Sequence, residues 1–169
     1  MAKAGIFTED DRVELLDGEI VQMAAIGRRH AHTVRSLIRL TSQRYGEQAV
    51  IDAQNPLLLS DLSEPQPDLM LLRLPVSRYA NRLPVPEDVL LLIEVADTSA
   101  SFERRVKLPL YARAGVREVW LVDLKQGIIQ VCRQPSPNGY LSVTRVAKGE
   151  RLAPEAFPDL TLSSDQVLG

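Results

Sequence analysis

Cysteine is nearly absent from this sequence: Cys132 is the only one in 169 residues. A single cysteine cannot form an intrachain disulfide, and it excludes four-thiolate zinc sites and iron–sulfur clusters. Long apolar runs are absent too, since the longest, Val89 to Ile93, is far too short to cross a bilayer. Near its start the chain meets the acidic residues 9–11 before an apolar signal segment can form. We therefore expect a cytoplasmic location.

An excess of positive charge is also lacking. Twenty basic and twenty-two acidic side chains give a formal net charge of −2. This balance argues against a protein that coats nucleic acid non-specifically, because such domains are usually strongly basic. It leaves room for a local basic patch, since residues 28–45 contain five arginines and no acid. The length suits one domain, residues 1–169, with a core of its own.

Hydrophobic patterning predicts a mixed α/β fold, with a central sheet flanked by two main helices and with N-terminal and C-terminal β-hairpins. The Asp17-Gly18 pair is typical of a two-residue hairpin turn. The expected elements are a hairpin of Val13–Leu16 and Ile20–Met23, a helix Arg28–Tyr45 that Gly46 ends, strands at 49–51, 57–59 and 69–72, a buried strand Val89–Ile93, a helix Ser101–Ala114 kinked by Pro109, a strand at 119–122, and a hairpin of Ile128–Arg133 with Tyr140–Val146.

The first long helix is predicted to be amphipathic. Arg28, His32, Arg35 and Arg39 follow one another at steps of four, three and four residues, on a face away from the apolar side chains. We call these four residues the basic stripe. Such a stripe is usually a solvated face, but Arg28, Arg35 and Arg39 are also candidates for contacts with DNA phosphates.

Two carboxylates and a lysine are the candidate site. Asp68 precedes one predicted strand and Glu94 closes another, so the two would meet at one end of the sheet if the strands are neighbours. Two carboxylates with a backbone carbonyl suit Mg²⁺, and Lys107 beside them could orient a water or stabilise developing charge. The alternatives are structural: Asp68 could cap a turn, and Lys107 could form an exposed ion pair with Glu103 four residues earlier.

Two further polar residues have less specific signals. His30 falls on the inward side of the predicted helix, where a histidine is more often a hydrogen-bonded core residue than a ligand. Glu19 follows the hairpin turn and could be ordinary solvated surface. Both stay open as members of the site.

An ordered set of segments carries a resemblance to a known family. They are ELLDGEIVQM (14–23), RRHAHTVRSLIRL (28–40), EPQPDLMLLR (64–73), EDVLLLIEVADTS (87–99) and KLPLYARAGVREVWLVDL (107–124). In this order they resemble the Uma-type restriction-endonuclease-like family, a bacterial family of the PD-(D/E)XK nuclease superfamily. The ending ERLAPEAFPDLTLSSDQVLG is similar to that family's ending as well.

The resemblance implies a restriction-endonuclease-like core and assigns roles residue by residue. Asp68 matches the aspartate of the PD motif, and Glu94 matches the acidic residue of (D/E)XK. Ala96 stands where that motif has its lysine, and Lys107 on the following helix is the match in this family. Glu19 and His30 match polar positions near the family's site.

The implied function is a Mg²⁺- or Mn²⁺-dependent DNA endonuclease. Asp68, Glu94 and the carbonyl of Val95 would hold the metal, and Lys107 would position the water with Glu19 and His30 in support. The competing interpretation is a catalytically inactive nuclease-like module for interaction or DNA binding, which Ala96 and the acidic net charge favour.

Three expectations about the folded protein follow. Asp68, Glu94 and Lys107 should cluster in a pocket at the end of their strands. At least one of the two carboxyls should have a raised pKa unless Lys107 compensates, because two nearby carboxylates repel each other in the absence of metal. The protein should form a homodimer, with the C-terminal hairpin offering the edge, because nucleases that cut both strands commonly pair two sites and C₂ dimers are the commonest oligomers.

Overall fold

A six-stranded mixed sheet forms the centre of the molecule in the computed structural model, which describes residues 12–169. The predicted acidic start, residues 9–11, lies outside the described residues. The strands are β1 (Val13–Leu16), β2 (Glu19–Gln22), β3 (Ala49–Asp52), β4 (Leu69–Arg73), β5 (Val89–Ala96), β6 (Glu118–Asp123), β7 (Ile128–Ser136), β8 (Gly139–Ala147), β9 (Arg151–Leu152) and β10 (Leu162–Ser163). The helices are α1 (Arg28–Tyr45), α2 (Ala100–Phe102), α3 (Leu108–Arg113) and α4 (Ser164–Leu168), with a π-helical turn Glu103–Lys107 and 3₁₀ turns at Val76–Tyr79 and Pro86–Asp88.

The central sheet has the order β3-β4-β5-β6-β7-β8. Its neighbouring strands are antiparallel except for β5 and β6, which run parallel. The connection between β5 and β6 contains α2, the π turn and α3, as a parallel crossover requires. The fold class predicted from the sequence is therefore confirmed.

Two apolar cores cover the two faces of this sheet. Side chains alternate between faces along a strand, so Leu71 and Ile93 pack on the face that α1 covers, whereas Met70 and Leu92 pack towards Tyr111 of α3. Burial on both faces explains why β5 reads as a continuous apolar run in the sequence.

Helix α1 has the predicted bounds and the predicted faces. Val34, Leu37 and Tyr45 are buried, and all four residues of the basic stripe are exposed. Gly46 ends the helix, but its φ of −62° is helical rather than left-handed. Position 46 requires glycine for a steric reason instead, because a Cβ there would lie 2.5 Å from the Ser42 carbonyl oxygen.

The N-terminal hairpin also forms as predicted. β1 pairs with β2 across Asp17 and Gly18, whose φ angles of 50° and 83° match a turn with two positive-φ positions. Asp17 Oδ2 accepts a hydrogen bond of 2.6 Å from Arg113, which ties the turn to the end of α3.

Three predicted elements differ in the structure. Leu57–Leu59 is not a strand, because its backbone forms hydrogen bonds with the segment that follows it. The Leu57 and Leu59 amides donate to the carbonyls of Pro65 and Ser63, respectively. The C-terminal hairpin is longer than expected, with only residues 137 and 138 between its strands. Strand β5 continues to Ala96 because Glu94, Val95 and Ala96 still pair with β6, so Glu94 lies inside the strand rather than at its end.

The second predicted helix is interrupted. In the π turn Glu103–Lys107 the Leu108 amide donates to the Glu103 carbonyl, five residues back. Pro109 sits at the start of α3, where its missing N–H is tolerated. The interruption thus precedes Pro109, and it leaves Glu103 and Lys107 both buried.

Among residues 12–169, no helix has both the length and the apolar character needed to cross a membrane.

Candidate active site

A cleft of about 320 Å³ opens at the end of β5. The antiparallel register of Leu69 with Ile93 brings Asp68, just before β4, beside Glu94 of β5. Both carboxylates line the cleft, together with residues from the β1–β2 hairpin, the start of α1 and the π turn. We call this space the carboxylate cleft.

Asp68 is held in place by two donors. Its Oδ2 accepts a hydrogen bond of 2.8 Å from the Val95 amide, which fixes the carboxylate against the end of β5. His30 Nε2 lies 3.0 Å from each of the two Asp68 carboxylate oxygens. The hydrogen bond to Asp68 raises the pKa of His30, although burial opposes the shift. His30 therefore holds the Asp68 carboxylate in one orientation.

Glu94 is buried and makes two contacts through one oxygen. Its Oε1 accepts a hydrogen bond of 3.2 Å from Lys107 Nζ and one of 2.5 Å from the Tyr111 hydroxyl. Burial raises the pKa of Glu94 well above its usual value; Lys107 opposes the rise, and the charges of Glu103 and Asp68 add to it. The predicted rise is therefore present, but its main cause is burial and not repulsion between the two carboxylates.

Lys107 stands at the centre of three carboxylates. Its Nζ lies 2.8 Å from Glu14 Oε1, 3.2 Å from Glu94 Oε1 and 3.9 Å from Glu103 Oε2. Burial favours the neutral amine, but the three carboxylates outweigh it and raise the pKa of Lys107. Lys107 therefore stays protonated. Because its side chain is only 5% exposed, the alternative of an exposed ion pair with Glu103 is wrong.

Glu14 is a site residue that the sequence reasoning missed. It lies in β1, it is buried, and its Oε1 also accepts a 2.7 Å hydrogen bond from the Gln66 amide. The available signal was strand periodicity: Glu14 stands two residues before the buried Leu16, on the same face of β1. Glu19, the hairpin carboxylate predicted for the site, is exposed in β2 and does not line the carboxylate cleft.

Glu103 and Tyr111 were missed as site residues for a different reason. Burial raises the pKa of Glu103 to about 7, against the opposing charge of Lys107. Burial, together with the adjacent Glu94, also raises the pKa of Tyr111, which keeps its hydroxyl a donor. Glu103 and Tyr111 lie four residues before and four after Lys107, a spacing that places all three on one face of a helix. In the sequence the Glu103–Lys107 pair is typical of an exposed ion pair, whereas the structure buries it.

The structure thus brings together four of the five predicted catalytic residues. Asp68, Glu94, Lys107 and His30 all line the carboxylate cleft, with Val95 beside them. Arg28, Arg35 and Arg39 lie on the exposed face of α1, whose preceding residue, Gly27, also lines the cleft. The basic stripe therefore starts next to the cleft and leads away from it.

A metal cage built wholly from side chains is absent: within residues 12–169, no three or more His, Cys, Asp and Glu side chains are grouped so that they could hold an ion. Five acidic side chains of the described residues line the cleft, and the two predicted as metal ligands are Asp68 and Glu94. This pair fits Mg²⁺, which commonly binds through one or two carboxylates and keeps water and phosphate oxygens as its other ligands.

Comparison with solved structures shows the same fold in a nuclease-like protein. The chain is similar to a crystal structure from Anabaena variabilis described as "a putative nuclease belonging to DUF820". The TM-score is 0.75 at 13% sequence identity, covering 98% of this chain and 94% of that one. No curated protein matches the chain.

A family model also matches this chain. The model of the Uma2 family, described as "Putative restriction endonuclease", matches residues 2–165, nearly the whole chain. The protein is therefore a member of the Uma2 family of restriction-endonuclease-like proteins.

Proposed function

We propose that this protein is a Mg²⁺-dependent DNA endonuclease of the PD-(D/E)XK type, with residues 1–169 as one catalytic domain. The contact between Lys107 Nζ and Glu94 Oε1, at 3.2 Å, is the observation that carries the proposal. Ala96 occupies the position two residues after Glu94, where this type of motif has its lysine. Lys107 supplies an ammonium to Glu94 from another element of the fold.

Asp68, Glu94 and the carbonyl of Val95 would hold Mg²⁺ or Mn²⁺. Asp68 is already oriented by His30 and by the Val95 amide. Lys107 and Tyr111 engage only Oε1 of Glu94, and no described residue is hydrogen-bonded to its Oε2. When bound, the ion would supply Lewis-acid stabilisation of the charge that develops on a phosphodiester.

The chain's own residues would do the remaining work. Lys107, protonated among its carboxylates, orients the attacking water and offers positive charge to the phosphate. Glu14 keeps the ammonium in place through its 2.8 Å contact, and it is this hairpin carboxylate, rather than Glu19, that supports Lys107. His30 keeps Asp68 in one orientation.

DNA would approach along the basic stripe. Arg28 follows Gly27 at the rim of the carboxylate cleft, and Arg35 and Arg39 lie about 10 and 16 Å further along α1. Each exposed guanidinium can pair with a phosphate oxygen through its planar fork. These arginines provide the local positive charge that a chain of net charge −2 needs to meet a polyanion.

The proposal also includes a homodimer and a cytoplasmic location. β8 is an outer strand of the central sheet and exposes Leu141 and Val143, so two copies could pair through it. Cys132 is a free, buried thiol, which suits a reducing compartment that also contains DNA.

The decisive experiment is cleavage of supercoiled plasmid in Mg²⁺, in Mn²⁺ and with a chelator. We expect metal-dependent nicking that Glu94→Gln reduces by about two orders of magnitude or more, the scale of losing a main catalytic group. Glu47→Gln is the matched control, because Glu47 is exposed and its side chain has no hydrogen bond or ion pair with any described residue. Undiminished cleavage by Glu94→Gln, or equal cleavage with the chelator, would contradict the proposal.

A second function, DNA binding without cleavage, has one observation in its favour. Burial raises the pKa of Glu94, which disfavours the charged carboxylate that a metal ion requires. In that case plasmid would stay intact in both metals, while a gel-shift assay would still show binding that depends on Arg35 and Arg39.

A further inference from the structure

A second cavity, of about 590 Å³, lies at the opposite end of the central sheet from the carboxylate cleft. It opens where β4 ends and where the parallel strands β5 and β6 begin. Val89, which lines this cavity, is five residues from Glu94 along β5, or about 17 Å at 3.3 Å per residue. The two spaces are therefore separate sites on one sheet.

Three arginines from separate segments line this second cavity. Arg73 ends β4, Arg78 lies in the 3₁₀ turn that follows, and Arg117 directly precedes β6. Among the described residues that line it, Glu155 is the only acidic one, so this lining carries a net positive charge. We call this cavity the arginine groove.

The positive charge of the arginine groove is only partly neutralised by the protein. Arg73 uses Nε to donate to the Glu87 carbonyl, which leaves its terminal nitrogens free of hydrogen bonds to the described residues. Arg117 is exposed and has no ion pair or side-chain hydrogen bond within residues 12–169. Both guanidiniums are thus available to an anion.

Arg78 is the third donor, and the carboxylate that it contacts, Asp88, is already paired with Arg82. It lies 3.3 Å from Asp88, but Arg82 holds that same carboxylate through two hydrogen bonds of 2.7 and 3.0 Å. Two guanidiniums therefore share one carboxylate, which leaves Arg78 with positive charge to offer. Its side chain is 38% exposed, so a ligand can reach it.

The remaining lining is apolar and partly aromatic. Leu90 and Phe157 are partly buried and lie in the lining, and the Phe157 ring stacks on Tyr45 with centroids 5.4 Å apart. The stack fixes the Phe157 ring as a flat apolar surface at one side of the groove. A ligand that matches the whole groove must combine a dianion with a planar apolar body.

We propose that the arginine groove binds the phosphate monoester of a nucleotide. A phosphate monoester carries about −1.5 to −2 charge at pH 7 and has three acceptor oxygens, which match two or three arginine forks. The base would lie against Leu90 and Phe157, and about 590 Å³ is within the usual range for a small-molecule site. The same chemistry is present in a free mononucleotide and in the 5′-phosphorylated end of an oligonucleotide.

Isothermal titration calorimetry of the full chain without divalent metal can test this binding. The probes are adenosine 5′-monophosphate, adenosine, inorganic phosphate, and an eight-residue oligodeoxyadenylate with or without a 5′-phosphate. We expect adenosine 5′-monophosphate to bind more tightly than adenosine or phosphate. A further gain that requires the 5′-phosphate on the oligomer identifies a nucleic-acid end as the source, and no such gain identifies the free nucleotide.

Arginine variants connect that binding to the groove. Arg117→Gln and Arg73→Gln should each weaken the binding of adenosine 5′-monophosphate about tenfold or more, because each removes a charged hydrogen-bond donor. Lys125→Gln, an exposed change of equal charge outside both cavities, should leave it unchanged. Thermal denaturation verifies that Arg117→Gln, which removes no contact within residues 12–169, is folded.

Two results would overturn the proposal. One is no heat of binding with adenosine 5′-monophosphate or the 5′-phosphorylated oligomer at millimolar concentration. The other is binding that Glu94→Gln changes while Arg73→Gln and Arg117→Gln do not, which would place the nucleotide in the carboxylate cleft.

Discussion

Lys107 Nζ lies 3.2 Å from Glu94 Oε1, although the two residues are thirteen positions apart and belong to different elements. Glu94 is fixed by the parallel pairing of β5 with β6, and Lys107 is turned inward by the π turn before α3. The Lys107–Glu94 contact thus joins a residue of a helix irregularity to a residue of a central strand. π-helical turns are rare and frequently occur at functional sites.

Glu14 should matter more than Glu19 for both stability and cleavage. Glu14→Gln removes the carboxylate 2.8 Å from Lys107, while Glu94 and Glu103 still neutralise the ammonium. We expect a loss of about 1–3 kcal/mol in the free energy of unfolding, less than for breaking an isolated buried pair. Plasmid cleavage should slow by about tenfold, because Lys107 loses one of the groups that position it.

The comparison for that experiment is Glu19→Gln on the same hairpin. Glu19 is exposed, so its replacement should change the free energy of unfolding by no more than about 0.5 kcal/mol. Urea denaturation and initial cleavage rates measure both variants. Equal losses in the two variants would show that the hairpin acts as a unit and that the Glu14–Lys107 contact has no special role.

The Tyr111 hydroxyl should affect how strongly Glu94 binds a metal ion. Tyr111→Phe removes the 2.5 Å hydrogen bond to Glu94 Oε1 and leaves the ring in the core. We expect a stability loss of about 1–2 kcal/mol and a changed Mn²⁺ affinity, because the charged form of Glu94 loses a donor. Denaturation and Mn²⁺ titration would measure the two effects separately.

Tyr140→Phe is the matched chemical control for that substitution. The Tyr140 hydroxyl donates to the Val116 carbonyl at 2.7 Å, and Tyr140 does not line the carboxylate cleft. Its loss should reduce stability by a similar amount without changing Mn²⁺ affinity. An equal shift of Mn²⁺ affinity in both variants would remove the Tyr111 hydroxyl from the site.

The two hairpins and α1 were predictable because local signals agree with the tertiary packing. Asp17-Gly18 requires positive φ at both turn positions, and the spacing of Val34, Leu37 and Tyr45 gives α1 one buried face. The central strand β5 was equally clear from its apolar run. Its end was not, because the extension through Glu94 depends on pairing with β6, which no local pattern records.

The site was predictable only in part, for a related reason. Asp68 and Glu94 each stand at an interruption of apolar sequence, so their positions mark them. Glu14 and Glu103 look like ordinary surface acids in the sequence and become buried only when the hairpin and the π turn close over Lys107. Periodicity marks their faces, since Glu14 shares a face of β1 with Leu16 and Glu103 lies one helical turn before Lys107. It does not record that both faces become buried around Lys107.

Asp88 should make stability depend on acid pH away from the carboxylate cleft. Its hydrogen bonds from Arg82, with help from the Val85 amide and Arg78, lower the pKa of Asp88 below its usual value. A lowered folded-state pKa stabilises the protein above the unfolded value, and this stabilisation is lost as pH falls through the folded value. Asp88→Asn should therefore cost about 1–2 kcal/mol at pH 7 and progressively less below about pH 4.

Urea denaturation of the parent and of Asp88→Asn between pH 2.5 and 7 measures this difference. If the difference in the free energy of unfolding between the parent and Asp88→Asn increased on acidification, that result would contradict a lowered pKa for Asp88.

The outer strand β8 should be the dimer contact. Leu141 and Val143 are 74% and 54% exposed on a strand with one unpaired edge. Replacing both by Glu places charges where two copies would meet, so the mass from light scattering should fall to that of one 18.8 kDa chain. Leu62→Glu, at another exposed leucine, should leave the dimer intact. A parent protein that is monomeric at micromolar concentration would contradict the dimer.

The basic stripe should determine how strongly DNA binding depends on salt. Each phosphate contact releases condensed counterions, so log K falls with log salt by about 0.9 per contact on duplex DNA. Replacing Arg35 and Arg39 together by Ala should weaken binding and reduce the slope by up to about 1.8. Folding should change little, because both side chains are exposed on α1.

A fluorescence anisotropy titration of a labelled duplex at several salt concentrations gives the slope. Replacing Arg145 and Lys148 by Ala removes the same charge from exposed positions outside α1, so it controls for net charge. Glu94→Gln should do the reverse of the arginine pair, stopping cleavage while retaining binding in the absence of metal. If the arginine pair leaves both affinity and slope unchanged, the stripe is only a solvated face. DNA would then have to reach the carboxylate cleft along another surface.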